Sequence, residues 1–242
     1  MIDANFVKAI TDLAPPRTHE IEGKTFATAS LHEIKPAPPD LPPLVYVTTL
    51  NGLADLVREK IDGIKGDDFF IRIANESAVE LMQKVSDEHG RRLRLVQATP
   101  VKFEGFQFGK FMEQEEFIIA VASRFSQTDD RQYVIDVASG LTMGATRTTE
   151  DDGLSQRVTA RQGMSLSRDM KIVPRVQLAP FRIFPECQQP VSEFLFRLRG
   201  GSDTKLPELA LFEADGGQWK IAAINEIKRY LGALDCGVTV IA

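Results

Sequence analysis

Five prolines within nine residues, in KPAPPDLPP at 35–43, constrain the fold more than any other feature of this sequence. Proline lacks the amide donor that helices and sheets need, and it biases the residue before it away from helical angles. The segment therefore predicts a stiff, polyproline-like connector that cannot be a helix or a central strand. Pro15 and Pro16 likewise end a short helix predicted at 4–13. A PxxP-type ligand is the alternative interpretation of the connector.

After the connector, the hydrophobic pattern alternates between strand and helix periods. Helices are predicted at 50–62, with Thr48 or Thr49 as cap, at 112–125, from Thr128 to Gly140 and at 217–231. Strands are predicted at 44–48, 69–74, 78–85, 91–98, 143–149, 155–162, 171–178, 180–184, 192–199 and 209–212. This order predicts an α+β fold of mainly antiparallel sheets with hairpins, helices packed on one side and a C-terminal helix. The regions are 1–43, 44–126 and 127–242, with a single domain over 44–242 as the alternative.

The overall composition is that of a globular protein, with 43% hydrophobic and 26% charged residues in a chain of 242. A net charge of −5 argues against a surface that is basic throughout, although a local basic face can exist within an acidic total. Charged residues interrupt the apolar N-terminal segment, and no later apolar run approaches the roughly 18 residues of a membrane span. These features predict a cytoplasmic protein without a membrane partner.

The residues that most often carry catalysis or bind metals are few and scattered. Cys187 and Cys236 lack the spacing of a zinc site and are predicted to be buried, reduced thiols. His19, His32 and His89 all fall in predicted loops, and no GxSxG or HExxH motif occurs. We therefore expect no catalytic residue, no bound metal and no cofactor.

Acidic clusters and Glu-x-Lys tripeptides are the remaining signals for metal-dependent chemistry. The clusters at 113–116 and 150–152 are predicted to be solvated charge at a helix start and a hairpin tip. The tripeptides at 33–35 and 226–228 lead into the connector and lie on the C-terminal helix, so neither can present its side chains from a sheet edge to a metal.

The turn Asp215-Gly216-Gly217 precedes the C-terminal helix, at a position where anions often bind. It lacks the Lys-Ser/Thr ending of a P-loop and the spaced glycines of a dinucleotide fingerprint. The carboxylate of Asp215 is expected to occupy the positive end of the helix itself. We interpret the turn as structural, with Trp219 covering the core and Ile221 packed on the sheet.

Positive charge is concentrated between residues 155 and 199, which contain eight basic residues and only three acidic ones. Seven of the eight are arginines, whose planar guanidinium groups bind phosphate in a forked geometry and stack on bases. The predicted nucleic-acid-binding residues are Arg157, Arg161, Arg182, Arg197 and Arg199. In the alternative interpretation, these arginines pair with carboxylates of other segments or of a neighbouring subunit.

Several stretches of the sequence resemble one protein family. They are SLHEIKPAPPDLPPLVYVTTLNGLADLV, FGKFMEQEEFIIAVASRF, LAPFRIFPECQQPVSEFLFRLR and LALFEADGGQWK, between residues 30 and 231. Their order is similar to that of the YfdQ-like proteins of phages and prophages, which have no assigned function. The resemblance implies a phage-derived gene of the early or DNA-metabolism type, and it supplies no catalytic residues.

Together, these observations predict a non-enzymatic, homo-oligomeric accessory protein that binds a polyanion. The expected partner is single-stranded nucleic acid or a phage or host protein of DNA metabolism. The alternative is a nucleotide or small-molecule binding protein, or an enzyme of phage DNA metabolism. A continuous exposed arginine stripe would favour the first function, and a pocket that gathers Arg182, Arg197 and Glu193 would favour the second.

Overall fold

The computed structural model describes residues 3–13, 17–27, 32–33, 40–88, 90–102, 104–141, 147–149, 156–162, 165–200 and 206–242. Within these ranges the chain forms two units, residues 1–41 and 42–242. Residues 35–39 of the predicted connector, the turn predicted at 151–153 and His89 lie outside the described residues.

The N-terminal unit contains the predicted helix and a small sheet that the sequence pattern did not predict. Helix α1 (Ala4–Leu13) precedes an antiparallel sheet of β1 (Thr18–Ile21), β2 (Lys24–Ala27) and β3 (His32–Glu33). Strands β1 and β2 are joined by Glu22 and Gly23, which both have positive φ angles, of 51° and 74°. Such a two-residue turn matches the twist of a tight hairpin. His19 and His32 therefore lie on strands rather than in loops.

The second unit contains the remaining helices and strands. In chain order they are β4 (Val45–Val47), α2 (Leu50–Arg58), β5 (Phe69–Asn75), β6 (Ala78–Gln83), β7 (Arg94–Ala98), α3 (Gln114–Arg124), α4 (Asp129–Gly140), β8 (Arg147–Thr149), β9 (Gln156–Gln162), β10 (Ser165–Ile172), β11 (Arg175–Leu178), β12 (Ser192–Arg199), β13 (Glu208–Glu213), α5 (Gln218–Leu234) and β14 (Thr239–Ile241). Short 3-10 turns occupy Ile61–Gly63 and Gly66–Asp68.

A five-stranded sheet has the order β14-β5-β6-β7-β4. Its inner pairs are antiparallel, whereas both edge strands run parallel to their neighbours. Ile71, Leu81 and Val96 lie opposite one another on three successive strands and are buried, so they define the covered face. Helices α2 and α5 pack on that face and complete one hydrophobic core.

Helix α2 begins where the sequence predicts. The Thr49 hydroxyl accepts a hydrogen bond of 3.0 Å from the amide of Gly52, which satisfies one of the free donors of the first turn. The helix ends at Arg58, earlier than predicted, because the chain turns into the 3-10 segment at Ile61. Ile61 is consequently exposed, whereas Leu53 and Val57 are buried.

A three-stranded antiparallel sheet, in the order β11-β12-β13, supports a second core together with α3 and α4. Phe194, Phe196 and Leu198 alternate along β12 and are buried, as predicted from their spacing. The stacked rings of Phe117 and Phe196, with centroids 5.8 Å apart, join α3 to this sheet. The fold is therefore α+β, with antiparallel-rich sheets, helices packed against one face of the five-stranded sheet and of the β11-β12-β13 sheet, and a C-terminal helix that is followed by a strand.

The strand predicted at 180–184 does not form. Its backbone is instead satisfied by Gln189, whose side-chain oxygen accepts bonds of 2.9 and 3.2 Å from the amides of Arg182 and Ile183. The amide nitrogen of Gln189 donates in turn to the carbonyl of Phe184 at 3.2 Å. A buried glutamine thus replaces the neighbouring strand that a sheet would need.

Other predictions differ from the structure at element ends. Val85 is exposed because β6 ends at Gln83, and Ile221 lies on the outer side of α5 with 66% of its surface exposed. The strand predicted at 171–178 is divided, because β10 ends at Ile172 and β11 begins at Arg175, and β14 lies where no strand was predicted. Within the described parts of the chain, no helix is long and apolar enough to span a bilayer.

Candidate functional site

The five predicted nucleic-acid-binding arginines lie in three different places. Arg157 and Arg161 lie on β9, which pairs with β8 and β10 in a separate sheet. For these two arginines the structure describes the backbone only. Arg197 and Arg199 lie on β12. Arg182 lies in the irregular segment before β12. Among the five, the described side chains place only Arg197 and Arg199 together, on one strand.

The outer face of the β11-β12-β13 sheet carries Arg197 and Arg199, because the residues that alternate with them on β12, Phe196 and Leu198, point into the core. The strand register places Arg175 and Phe212 on either side of Leu195 on this face. Phe111, from the segment that pairs beside β13, lies next to Phe212 with ring centroids 5.9 Å apart. We call this surface the arginine face, defined by Arg175, Arg197, Arg199, Leu195, Phe111 and Phe212.

Arg199 contacts both an aromatic ring and a carboxylate on this face. Its guanidinium carbon lies 4.2 Å from the centre of the Phe111 ring, and its side chain is 59% exposed. Its Nη2 donates to Oε2 of Glu208 at 2.8 Å. The ring and the carboxylate restrain the guanidinium from two sides, which orders it before any ligand binds.

Carboxylates neutralise part of the positive charge of the arginine face. Glu208 pairs with Arg199, and Glu193 pairs with Arg175 across β11 and β12. These contacts agree with the alternative interpretation in which arginines pair within the chain. An anionic ligand must therefore share the guanidinium groups with these acids, which lowers the gain from each contact.

Arg182 lies in a different environment from the other arginines, since its side chain is only 9% exposed. Its guanidinium carbon lies 4.4 Å from the Trp219 ring centre, 5.0 Å from that of Phe108 and 5.4 Å from that of Phe194. Phe108 and Phe194 belong to the core beneath the arginine face, whereas Trp219 packs against the core of the five-stranded sheet. Arg182 therefore joins the two cores.

The polar atoms of Arg182 are poorly satisfied. Its Nη2 forms an ion pair with Oε1 of Glu213 at 2.8 Å, whereas its Nε and Nη1 have no hydrogen-bond partner among the described residues. Burial lowers the pKa of the Arg182 guanidinium, while the carboxylates of Glu213 and Asp215 act in the opposite direction. Arginine stays charged at neutral pH despite such shifts, so a buried cation remains at this position.

A cavity of about 530 Å³ lies beside Arg182. Its walls are Ser77, Thr99, Pro100, Val101, Lys102, Phe108, Phe181, Arg182, Glu213 and Trp219. Trp219 also lines a neighbouring cavity of about 480 Å³, to which Glu193 and Asp215 contribute. We call the first cavity the Arg182 pocket. A pocket that gathers Arg182, Arg197 and Glu193 would favour the alternative function, but only Arg182 lines this one. Arg197 lies on the arginine face, and Glu193 lines the neighbouring cavity.

The glycine turn before α5 is structural in the way the sequence predicts. Oδ1 and Oδ2 of Asp215 accept hydrogen bonds from the amides of Gly217 and Trp219 at 3.0 and 3.2 Å. Gly216 and Gly217 have positive φ angles of 63° and 84°. The carboxylate of Asp215 therefore occupies the helix terminus where an anion would otherwise bind.

The two thiols are free, as predicted, but only Cys187 is buried, whereas Cys236 is half-buried. Burial, together with the carboxylates of Glu226 and Glu186, raises the pKa of the Cys187 thiol to about 12. Cys187 is thus protonated at neutral pH and is a poor nucleophile. In the part of the chain that the structure describes, no three histidines, cysteines or acids gather as a metal site.

One charged cluster was not predicted from the sequence. On the face of the five-stranded sheet opposite α2 and α5, Glu80 is 4% exposed and binds Arg72 at 2.6 Å and Arg94 at 2.9 Å. The three residues lie on adjacent strands, so only the strand register reveals the cluster. In the sequence, only the alternation of polar residues along these strands could have indicated that the three charged side chains share a face.

Comparisons of the chain with protein-family models, with curated proteins and with solved structures find no match.

Proposed function

We propose that this chain is a non-enzymatic protein that binds single-stranded nucleic acid through the arginine face. One observation carries the proposal, namely the exposed Arg199 guanidinium that lies 4.2 Å from the centre of the half-buried Phe111 ring on the outer face of the β11-β12-β13 sheet. Exposed arginine and aromatic side chains on a sheet can bind phosphates and stack unpaired bases at the same time. A duplex hides its base faces, so a flat surface of this kind favours a single strand.

The spacing of the arginines supports an extended ligand. Arg197 and Arg199 are two residues apart on β12, which corresponds to about 6.6 Å along a strand. This distance is comparable to the separation of successive phosphates in a stretched single strand. Leu195 and Phe212 continue the surface toward Arg175. A bound strand would therefore contact guanidinium groups at its backbone and apolar side chains at its bases.

The expected affinity is modest and depends strongly on salt. Glu208 and Glu193 already accept hydrogen bonds from two arginines of the face. The chain also carries a net charge of −5, which repels a polyanion outside the immediate contact surface. Phosphate contacts release condensed counterions from the nucleic acid, so the binding constant falls as the salt concentration rises.

We extend the proposal to the biological setting and the assembly. The resemblance to the YfdQ-like proteins supports a phage-derived gene of the early or DNA-metabolism type. We place the protein in the cytoplasm, where it would act on nucleic acid or on a protein that handles it. Homo-oligomers would lengthen the binding surface by repeating the arginine face. Because β12 is hydrogen-bonded on both sides, subunits would dock through sheet faces or through other edges.

Fluorescence anisotropy with labelled single-stranded DNA, duplex DNA and RNA of equal length tests the function. We expect the single strands to bind more tightly than the duplex at low salt. The double variant Arg197→Gln/Arg199→Gln should weaken this binding. The matched control is Lys228→Gln/Arg229→Gln on α5, since it removes the same charge and Arg229 is likewise exposed and paired with an acid, Glu226.

A further inference from the structure

We propose that the five-stranded sheet carries a second surface for single-stranded nucleic acid, on the side opposite α2 and α5. The inference rests on the proposed function for its class of ligand, but it concerns another sheet and other residues. We call this surface the Glu80 face, because the buried Glu80 lies on the middle strand of the sheet. The other members of the face are Tyr46, Phe70, Arg72, Arg92, Arg94 and Gln97.

Strand register places the centre of the Glu80 face in one row. The row crosses β4, β7, β6 and β5 and consists of Tyr46, Gln97, Glu80 and Arg72. The residues immediately before and after each of them belong to the core under α2 and α5 or pack against it. Because side chains alternate along a strand, the row points to the other side of the sheet. It spans three strand spacings, or roughly 14 Å.

Glu80 positions two arginines and leaves them accessible. Nε and Nη2 of Arg72 donate to Oε2 of Glu80 at 3.0 and 2.6 Å, and Nη1 of Arg94 donates to Oε1 at 2.9 Å. The Glu80 side chain is 5% exposed, whereas those of Arg72 and Arg94 are 46% and 48% exposed. Solvent and ligands therefore meet the guanidinium groups and not the carboxylate. Nη1 of Arg72 and Nε and Nη2 of Arg94 remain as donors that Glu80 does not use.

Arg92 adds a positive charge that forms no ion pair with the described residues. Arg92 is exposed, and its guanidinium carbon lies 5.6 Å from the centre of the Phe70 ring. The face thus holds three arginines and one carboxylate, which give a formal charge of +2 in a chain whose net charge is −5. This local excess of positive charge favours an anionic ligand.

Tyr46 supplies the feature that favours nucleic acid among anionic ligands. It is 72% exposed on the edge strand β4, in the same row as Glu80 and Arg72. Unpaired bases stack on aromatic rings while arginines bind the phosphates, and a duplex withholds its bases from such contacts. An acidic peptide would satisfy only the arginines, so it is the comparison ligand in the test.

The test uses the full-length Arg197→Gln/Arg199→Gln variant as its background, because that variant lacks two arginines of the other face. Fluorescence anisotropy of labelled oligothymidine at low salt measures binding. We expect Tyr46→Ala/Arg92→Gln to weaken binding in this background by about tenfold, since a stacked base and a phosphate contact are lost. Both residues are exposed, so their replacement should not unfold the chain.

The matched control is Ile221→Ala/Lys228→Gln in the same background. It removes one exposed apolar side chain and one positive charge from α5, which packs on the opposite side of the sheet. We expect the control to bind oligothymidine as the background does.

Glu80→Gln should have the opposite effect. The glutamine removes the negative charge and still offers an oxygen to Arg72 and Arg94. We expect oligothymidine to bind about threefold more tightly, because the face gains one unit of positive charge. A thermal melt checks that the variant is folded. Unchanged or weaker binding by the folded variant would show that the cluster is purely structural.

Two further results would overturn the proposal. One is equal affinity of Tyr46→Ala/Arg92→Gln and its control, and the other is tighter binding of a polyglutamate peptide than of oligothymidine. The background variant separates the two surfaces. If the wild type binds and the background does not, the Glu80 face fails and the arginine face stands. If the background binds as tightly as the wild type, the arginine face fails and the Glu80 face stands.

Discussion

The guanidinium carbon of Arg182 lies 4.4 Å from the centre of the Trp219 ring, in the position where the two hydrophobic cores meet. Arg182→Ala would remove this contact together with those to Phe108 and Phe194. We expect the free energy of unfolding to fall by about 2 to 4 kcal/mol, because a buried side chain and its cation–π contacts are lost. Urea denaturation measures the change.

Glu213→Gln provides the comparison for Arg182→Ala. The Glu213 side chain is 44% exposed, so solvent screens its ion pair and the expected loss is under about 1 kcal/mol. If both variants unfolded at the wild-type urea concentration, Arg182 would not join the cores in the way its contacts indicate.

Gly217→Val should destabilise the start of α5. Gly217 has a φ angle of 84°, which a β-branched residue adopts only with strain, although a Cβ atom there would meet no neighbour within 4 Å. The expected loss is about 1 to 2 kcal/mol, measured as a lower thermal midpoint. Gly105→Val is the control, because Gly105 has equally open surroundings without a positive φ angle. Equal midpoints for the two variants would contradict the account of the turn.

The two cysteines should differ in their reactivity toward an aromatic disulfide reagent at pH 7 to 8. Cys236 is half-buried and should react first, whereas Cys187 is buried with its pKa raised to about 12 and should react only when the chain unfolds. Because the folded pKa exceeds the unfolded value of roughly 8.5, the contribution of Cys187 to stability declines as the pH rises above that value. Rapid modification of both thiols in the native protein would refute this assignment.

Self-association is expected if the proposed oligomer forms. Static light scattering at micromolar concentration should give a mass of at least twice the 26.9 kDa of the chain. A mass of one chain over a wide range of concentration would exclude the oligomer. It would not contradict nucleic-acid binding by the arginine face.

Local sequence patterns predicted the parts of the fold that local interactions determine. Examples are the Thr49 cap of α2, the alternation of Phe194 and Phe196 on β12, and the Asp215 turn. The surroundings of Arg182 could not be predicted, because they depend on rings from distant segments and on Gln189, which replaces a strand pairing. Hydrophobic periodicity does not encode such long-range contacts.

At the candidate site, too, the features that depend on local sequence could be predicted, and those that depend on distant segments could not. The positions of Arg197 and Arg199 on one face of β12 follow from strand alternation. Their acidic partners depend on strand register, since Glu208 reaches Arg199 from the neighbouring strand β13. Strand alternation therefore located the arginine face, but it could not give the share of its charge that is neutralised.

The salt dependence of single-stranded DNA binding tests the central claim most directly. Each phosphate contact should contribute a slope of roughly −0.7 in a plot of log affinity against log salt. We predict that Arg197→Gln/Arg199→Gln flattens the wild-type slope by about 1 to 1.5 units without changing base preference, because phosphate contacts do not read sequence. The Lys228→Gln/Arg229→Gln control should keep the wild-type slope. Absence of binding by the wild-type protein at low salt, or equal slopes for the two double variants, would contradict a nucleic-acid function of the arginine face.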